Sequence, residues 1–176
     1  MCPLDAQTRS PSPLHAVYER PDDLSRRLVV ADELLAAGDP RGEFIALQFE
    51  SSARSRKRAQ KLLQRHRAAW LGALEDVVVS GSDVWRHGFL VSAAVRLSGH
   101  RVDEPSWATV EDLLVMVSNF TPYELASPWL KSLRAVRVGY EPTRRWVTAR
   151  EAQRDLAAVS RELERGGRVK LVTPHF

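Results

Sequence analysis

Hydrophobic positions change their period once along the chain. Leu24, Leu28, Ala31 and Leu35 fall at i, i+4, i+7 and i+11, which predicts one apolar stripe of a helix. Gly38 lies just past that stripe, where a left-handed residue closes a helix without a Cβ penalty. Asp39 is then a good N-cap, and Pro40 suits the first turn of a new helix, where a missing N–H costs nothing. The stripe resumes with Phe44, Leu47 and Phe49. So short a link predicts two neighbouring antiparallel helices.

Beyond Trp70 the period shortens. Asp76–Ser80 (DVVVS) and Phe89–Leu97 (FLVSAAVRL) are β-branched or alternating, bounded by Gly81, Gly88 and Gly99, and predict strands. Trp107, Val110, Leu113 and Val115 reappear 23 residues later as Leu130, Leu133, Val136 and Val138, a spacing inside the leucine-rich-repeat range. Asn119 follows the first copy, roughly where such repeats place an asparagine ladder. The second copy has Gly139 and Tyr140 there, and no third copy occurs at the same shift. One to three degenerate repeat units are expected, against the alternative of an ordinary α/β layer with parallel strands. Thr121, Pro122 and Glu124 form an N-cap, an N1 proline and an N3 acid, and Thr148–Glu151 forms a second capping box. Ala152, Leu156, Val159 and Leu163 make the stripe behind it, with Gly166 as its stop. Arg168–Thr173 (RVKLVT) then suits a closing strand, and helix plus strand would cap a short array. Strand–helix–strand order makes parallel pairing the default.

The run Leu28–Gln48 carries the one family signature. Pro21, Asp22, Asp23, Arg27–Val29, Ala31 and Asp32, then Gly38–Ile45, Leu47 and Gln48, match a pattern of the type PxDxxxRLVYADWLxExGDPRGEFIxLQ. In this the chain resembles the bacterial repeat-companion domain, found near N-termini and often ahead of leucine-rich repeats. It departs at Val30, where the family usually has Tyr, and at Glu33, where Trp is common. The resemblance covers roughly residues 14–70 and implies an interaction module, with no chemistry to carry over. The expected organisation is a disordered tail over 1–13, a helical companion domain over 14–70, and a leucine-rich-repeat-like α/β region with a C-terminal capping helix and strand over 71–176. The fold class is therefore α/β, a helical hairpin packed on a short layer of mostly parallel strands alternating with helices.

Composition narrows the function classes. At 176 residues the chain makes one domain or two small ones. It has no apolar run of about 20 residues, and its start lacks the apolar core of a secretory signal. The single Cys2 suits a reducing cytoplasm. Net charge is +4 but uneven. Ser51–Leu74 holds Arg54, Arg56, Lys57, Arg58, Lys61, Arg65 and Arg67 and no acid, so this +7 segment leaves the remainder at −3. Such a face suits phosphate backbone, nucleic acid or an acidic protein, or is simply solvated with Leu62, Leu63, His66 and Trp70 turned inward. No aromatic residue is interleaved among the cations, which weakens a single-strand stacking platform.

Catalytic chemistry finds no constellation. His15, His66, His87, His100 and His175 lack metal-type spacing, and Cys2 has no fixed base beside it. No nucleophile elbow, P-loop or dinucleotide glycine pattern is present. Asp32–Glu33 and Glu75–Asp76 are consecutive and point apart. Trp85-Arg86-His87-Gly88-Phe89 reads as a turn into a strand, with Trp85 and Phe89 packed on the helical part. No catalytic residue, metal site or cofactor is expected. In the hairpin, Asp39 caps, Gly42 permits close helix approach and Glu43 complements the helix N-terminus. Arg41 is left over, able to fork onto a partner's carboxylate. Trp107, Trp129, Tyr140 and Trp146 are candidate exposed aromatics, and Arg144-Arg145-Trp146 a candidate contact patch.

The leading expectation is a non-enzymatic cytoplasmic protein-interaction module, in a narrower form an immunity or antitoxin-like protein. It would bind through its strand face with Arg41 and Arg144–Trp146. The alternative is nucleic-acid binding through residues 54–67. Partner identity and oligomeric state are not set by the sequence.

Overall fold

The computed structural model describes residues 12–96, 103–117, 127–140, 157, 161 and 170–171. Within these, four helices precede a sheet: α1 (Pro13–Glu19), α2 (Leu24–Ala36), α3 (Pro40–Phe49) and α4 (Ala53–Leu71), then β1 (Val84–Arg86), β2 (Phe89–Val95), β3 (Asp112–Val117), β4 (Ala135–Tyr140) and β5 (Lys170–Leu171). The strands lie in sequence order; β1 is antiparallel to β2, and all later pairs are parallel. The protein is thus mixed α/β with a mostly parallel sheet.

The α2–α3 link forms as its local chemistry requires. Gly38 has φ +73° and donates to the Leu35 carbonyl at 3.0 Å, while the Asp39 N–H reaches back to the Leu34 carbonyl at 2.8 Å. These are the paired bonds of a Schellman closure. The Asp39 carboxylate then accepts from the Arg41 N–H at 2.8 Å, so one residue closes α2 and opens α3. A Cβ at Gly42 would lie 2.6 Å from the Leu35 nitrogen and 2.7 Å from the Ala31 carbonyl oxygen. The two helices are therefore in backbone contact, which only glycine permits.

That contact corrects the expected stripe. Of Leu24, Leu28, Ala31 and Leu35, only Ala31 is buried; the inward face of α2 is Arg27, Val30, Ala31 and Leu34. At 100° per residue the buried face is turned by about a quarter turn from the leucine row. Close approach at Gly42 fixes α3 against the Ala31–Leu35 backbone, and Arg27 is drawn inward by backbone carbonyls described below. After α3 the chain breaks rather than continuing. Ser52 caps α4 by accepting from the Ser55 N–H at 3.0 Å, and the Ser55 hydroxyl bonds the Glu50 carboxylate.

Strands β3 and β4 pair with a constant offset of 23 residues, from Asp112↔Ala135 to Val117↔Tyr140. The internal similarity in the sequence is thus the register of the sheet. Strands β2 and β3 pair at an offset of 20, Ser92↔Asp112 to Val95↔Val115. This stacks Leu90, Val110 and Leu133 as equivalent positions, then Ala93, Leu113 and Val136, all in one buried cluster with Trp107. A third copy of the pattern therefore exists, offset by three fewer residues. Trp107 is 1% exposed, a core side chain and not the surface aromatic it could have been. Asp76–Ser80 is not a strand; only an isolated Val78–Val95 bridge forms. Past it the chain turns at Gly81, and the Ser82 hydroxyl bonds both the Ala94 N–H (3.0 Å) and the Ala94 carbonyl (3.2 Å). A side chain thus takes the ladder's place there.

A second core joins the layers: Val17, Tyr18, Val30, Ala31, Leu34 and Ile45 from the helices with Phe89 and Ala108 from the sheet side. Asn119, the capping groups at Thr121–Glu124 and Thr148–Glu151, and the Ala152–Leu163 stripe lie outside the described residues. The closing strand is present at Lys170–Leu171, parallel to β4.

Candidate functional site

The family-like motif converges on one turn. In the β1–β2 hairpin Arg86 pairs with Phe89, and the two residues between them, His87 (φ 50°) and Gly88 (φ +83°), take the positive φ of a type I′ turn. Gln48 holds that turn with both ends of its amide. Its oxygen accepts from the Gly88 N–H at 2.7 Å and its nitrogen donates to the Trp85 carbonyl at 3.5 Å. Arg27 donates to the Arg86 carbonyl at 3.1 Å and to the Pro21 carbonyl at 2.7 Å. Arg41 donates to the Gly88 carbonyl at 3.4 Å. Both guanidinium carbons lie near the Phe89 ring, 5.1 and 5.2 Å from its centroid.

Arg27 and Arg41 are 5% and 6% exposed. Burial lowers the Arg27 pKa, with the charges of Glu111 and Asp22 working against that shift. Burial also lowers the His87 pKa, helped by the Arg27 and Arg86 cations, and its ring stacks on Phe49 at 4.4 Å. Arg41 thus turns inward, where its fork serves the hairpin and is not presented to a partner. Arg27 and Gln48 belong to the same clamp, and the sequence reading passed over both. Their signal was their place in the motif, each one helix turn or so from an apolar residue that is buried. The cluster binds a backbone turn; it brings together no nucleophile and base.

The cations of α4 separate into two groups. Arg67 is paired with Asp83 at 2.8 Å, and Trp85 Nε1 donates to the same carboxylate at 2.7 Å. Burial would raise the Asp83 pKa, but the bonds from Arg67 and Trp85 outweigh it and hold it low. Arg56 folds back onto the Ser51 carbonyl at 2.6 Å. The other five, Arg54, Lys57, Arg58, Lys61 and Arg65, are exposed at i, i+3, i+4, i+7 and i+11, one side of the helix. The opposite side holds Ser55, Ala59, half-buried Leu62 and Leu63, and the His66–Trp70–Phe44 stack. Arg58 pairs with Glu43; Arg54, Lys57, Lys61 and Arg65 have no ion pair among the described residues.

Of the other candidates, Trp129 is half-buried, meeting His15 edge-on at 6.0 Å and Lys131 at 4.8 Å. Arg144, Arg145 and Trp146 lie outside the described residues, as does the side chain of Tyr140. A cleft of about 460 Å³ opens between α3, α4 and β1, lined by Gln48, Glu50, Arg56, Trp85 and His87 among others. Among the described residues no three His, Cys, Asp or Glu side chains gather as a metal site, and no helix is long and apolar enough to cross a membrane. No family model, curated protein or solved structure matches the chain.

Proposed function

We propose that the chain is a non-enzymatic protein-interaction module, a repeat-companion-type helical layer seated on a short leucine-rich-repeat-like array and working in a reducing cytoplasm. One observation carries this: four of the five large apolar residues exposed among the described residues sit on α2, namely Leu24 (48%), Leu28 (44%), Val29 (57%) and Leu35 (45%). Leu24, Leu28 and Leu35 fall within about 40° of one another around the helix. Single exposed leucines are ordinary, whereas an apolar row beside polar neighbours is what a partner surface offers. The array reading draws support from the offsets of 20 and 23 residues, both within the leucine-rich range, and from the 3-10 turn Pro105–Thr109 between β2 and β3. The strand face, with half-covered Asp112, Leu114 and Met116 and exposed Arg137, is the second contact surface, continued in the chain by Arg144–Trp146.

A photo-crosslinking residue placed at Leu28 in the full chain tests this inside the cell. The expected result is one discrete adduct with a different protein, abolished by Leu24→Glu with Leu35→Glu at unchanged melting temperature. No adduct under any growth condition overturns the proposal. An adduct of two copies of this chain reassigns the face to self-association.

A further inference from the structure

We infer that the solvent face of α4 is a rail for the phosphate backbone of double-stranded nucleic acid, formed by Arg54, Lys57, Arg58, Lys61 and Arg65 and not by the whole basic segment. Arg56 and Arg67 are excluded because the Ser51 carbonyl and Asp83 already engage them.

Three observations point past a merely solvated face. First, the array repels itself: Arg54–Arg58, Lys57–Lys61 and Lys61–Arg65 are like-charge pairs at i,i+4, an arrangement that destabilises a helix. Second, α4 has no acidic residue in its first turn, so its cations at the start face the positive end of the helix dipole unopposed. Third, four of the five have no ion pair among the described residues. A polyanion laid along this face relieves all three at once.

The chemistry of the face selects the polyanion. The residues between the cations are Gln60 and Gln64, with no exposed apolar or aromatic side chain on that side. A membrane-surface helix needs an apolar face turned outward, and the apolar face of α4 is spent on Phe44 and Trp70. Single strands are held by stacking on aromatics, which this face lacks. From Arg54 to Arg65 the rail runs about 16 Å at 1.5 Å per residue. Against a duplex rising 3.4 Å per base pair, that spans about five pairs of backbone. With its other side packed on α3, α4 lies along the backbone, so binding is independent of sequence.

The test is fluorescence anisotropy with the purified full chain and a labelled 20-base-pair duplex of arbitrary sequence, as DNA and as RNA, across 50 to 200 mM KCl. Four to five neutralised phosphates give a log–log slope of about −3.6 to −4.5, a loss of affinity of roughly 150- to 500-fold over that range. Lys57→Gln with Lys61→Gln and Arg65→Gln should cut the slope to about −1.8, a loss of roughly 12-fold. Arg56→Gln should leave it unchanged, and unaltered circular dichroism verifies that the variants fold. No binding at 50 mM KCl, a flat salt response, or an equal effect of Arg56→Gln overturns the inference. Polyglutamate competing as well as duplex, charge for charge, also overturns it and assigns the rail to an acidic protein. Preference between the DNA and RNA arms names which duplex is held.

Discussion

Arg27 and Arg41 lie almost wholly inside the protein, 5.1 and 5.2 Å from the Phe89 ring centroid, whereas Arg54 and Arg65, one or two helices further along the same layer, stand in solvent. The side chain is the same and the work is opposite. The inner pair satisfies backbone carbonyls of a hairpin turn that has no other donors, and so fastens helices to sheet. The outer set satisfies nothing in the described fold. Charge therefore separates by surroundings into cations that the fold needs and cations that it merely carries.

Stability measurements should divide along the same line. The largest loss is expected at Gly88, where a Cβ would fall 2.1 Å from Ile45 Cγ1 and where φ is +83°. Gly88→Ala adds the cost of a left-handed L-residue, about 1–2 kcal/mol, to that of overpacking, about 1–3 kcal/mol. Urea denaturation should show the sum. Arg41→Ala and Arg27→Ala come next, at about 2–3 kcal/mol each, since each leaves a carbonyl without its charged donor. Arg65→Ala should stay within about 0.5 kcal/mol. Equal losses at Arg41 and Arg65 would erase the distinction between the two sets.

How far the sequence showed this follows from the range of each interaction. Gly38, Asp39 and Pro40 act within a few residues of themselves, so the α2–α3 link could be read directly. The β3–β4 register could also be read, because a 23-residue offset repeats the same apolar spacing. The β2 copy escaped because its offset is 20 residues, its core residue is the small Ala93, and His87 stands where Trp107 and Leu130 stand in the later copies. The face of α2 was misassigned because periodicity counts leucines, while the buried position went to an arginine held by carbonyls 59 residues away. Which cations of α4 are spent was hidden for the same reason, since Asp83 lies 16 residues beyond Arg67.

Acid should expose the inner set of pairings in a second way. The Asp83 pKa is depressed in the folded protein by its bonds to Arg67 and Trp85, which outweigh the opposing effect of burial. An unfolded Asp titrates near 3.9, so below about that pH the unfolded chain takes up more protons. The stability from this carboxylate is therefore complete above pH 4 and lost as pH falls through its lower folded value. Asp83→Asn should flatten that limb of a stability-versus-pH curve. Arg67→Gln should flatten it likewise and Arg65→Gln should not, although the two cations are two residues apart. His87 acts in the next window up. Its folded pKa lies below the usual 6.5, so acidification from neutral pH through that range also favours the unfolded chain.

The smallest effect has the most informative sign. Lys61 sits between Lys57 and Arg65 at i,i+4, so Lys61→Glu exchanges two repulsive pairs for two attractive ones. The pair with Arg65 has the better orientation, the acid nearer the N-terminus. The helix should gain about 1 kcal/mol, against about 0.2–0.5 kcal/mol for each contact made or relieved. For a chain of this size that raises the melting temperature by roughly 2–4 °C. The same change should weaken duplex binding and reduce its salt slope. Opposite movements of stability and binding would show that the rail is maintained at a cost to the fold, as functional surfaces are. A fall in melting temperature would instead mean that Lys61 is paired within the folded chain, and the contrast between spent and unspent cations would fail at the position where it is sharpest.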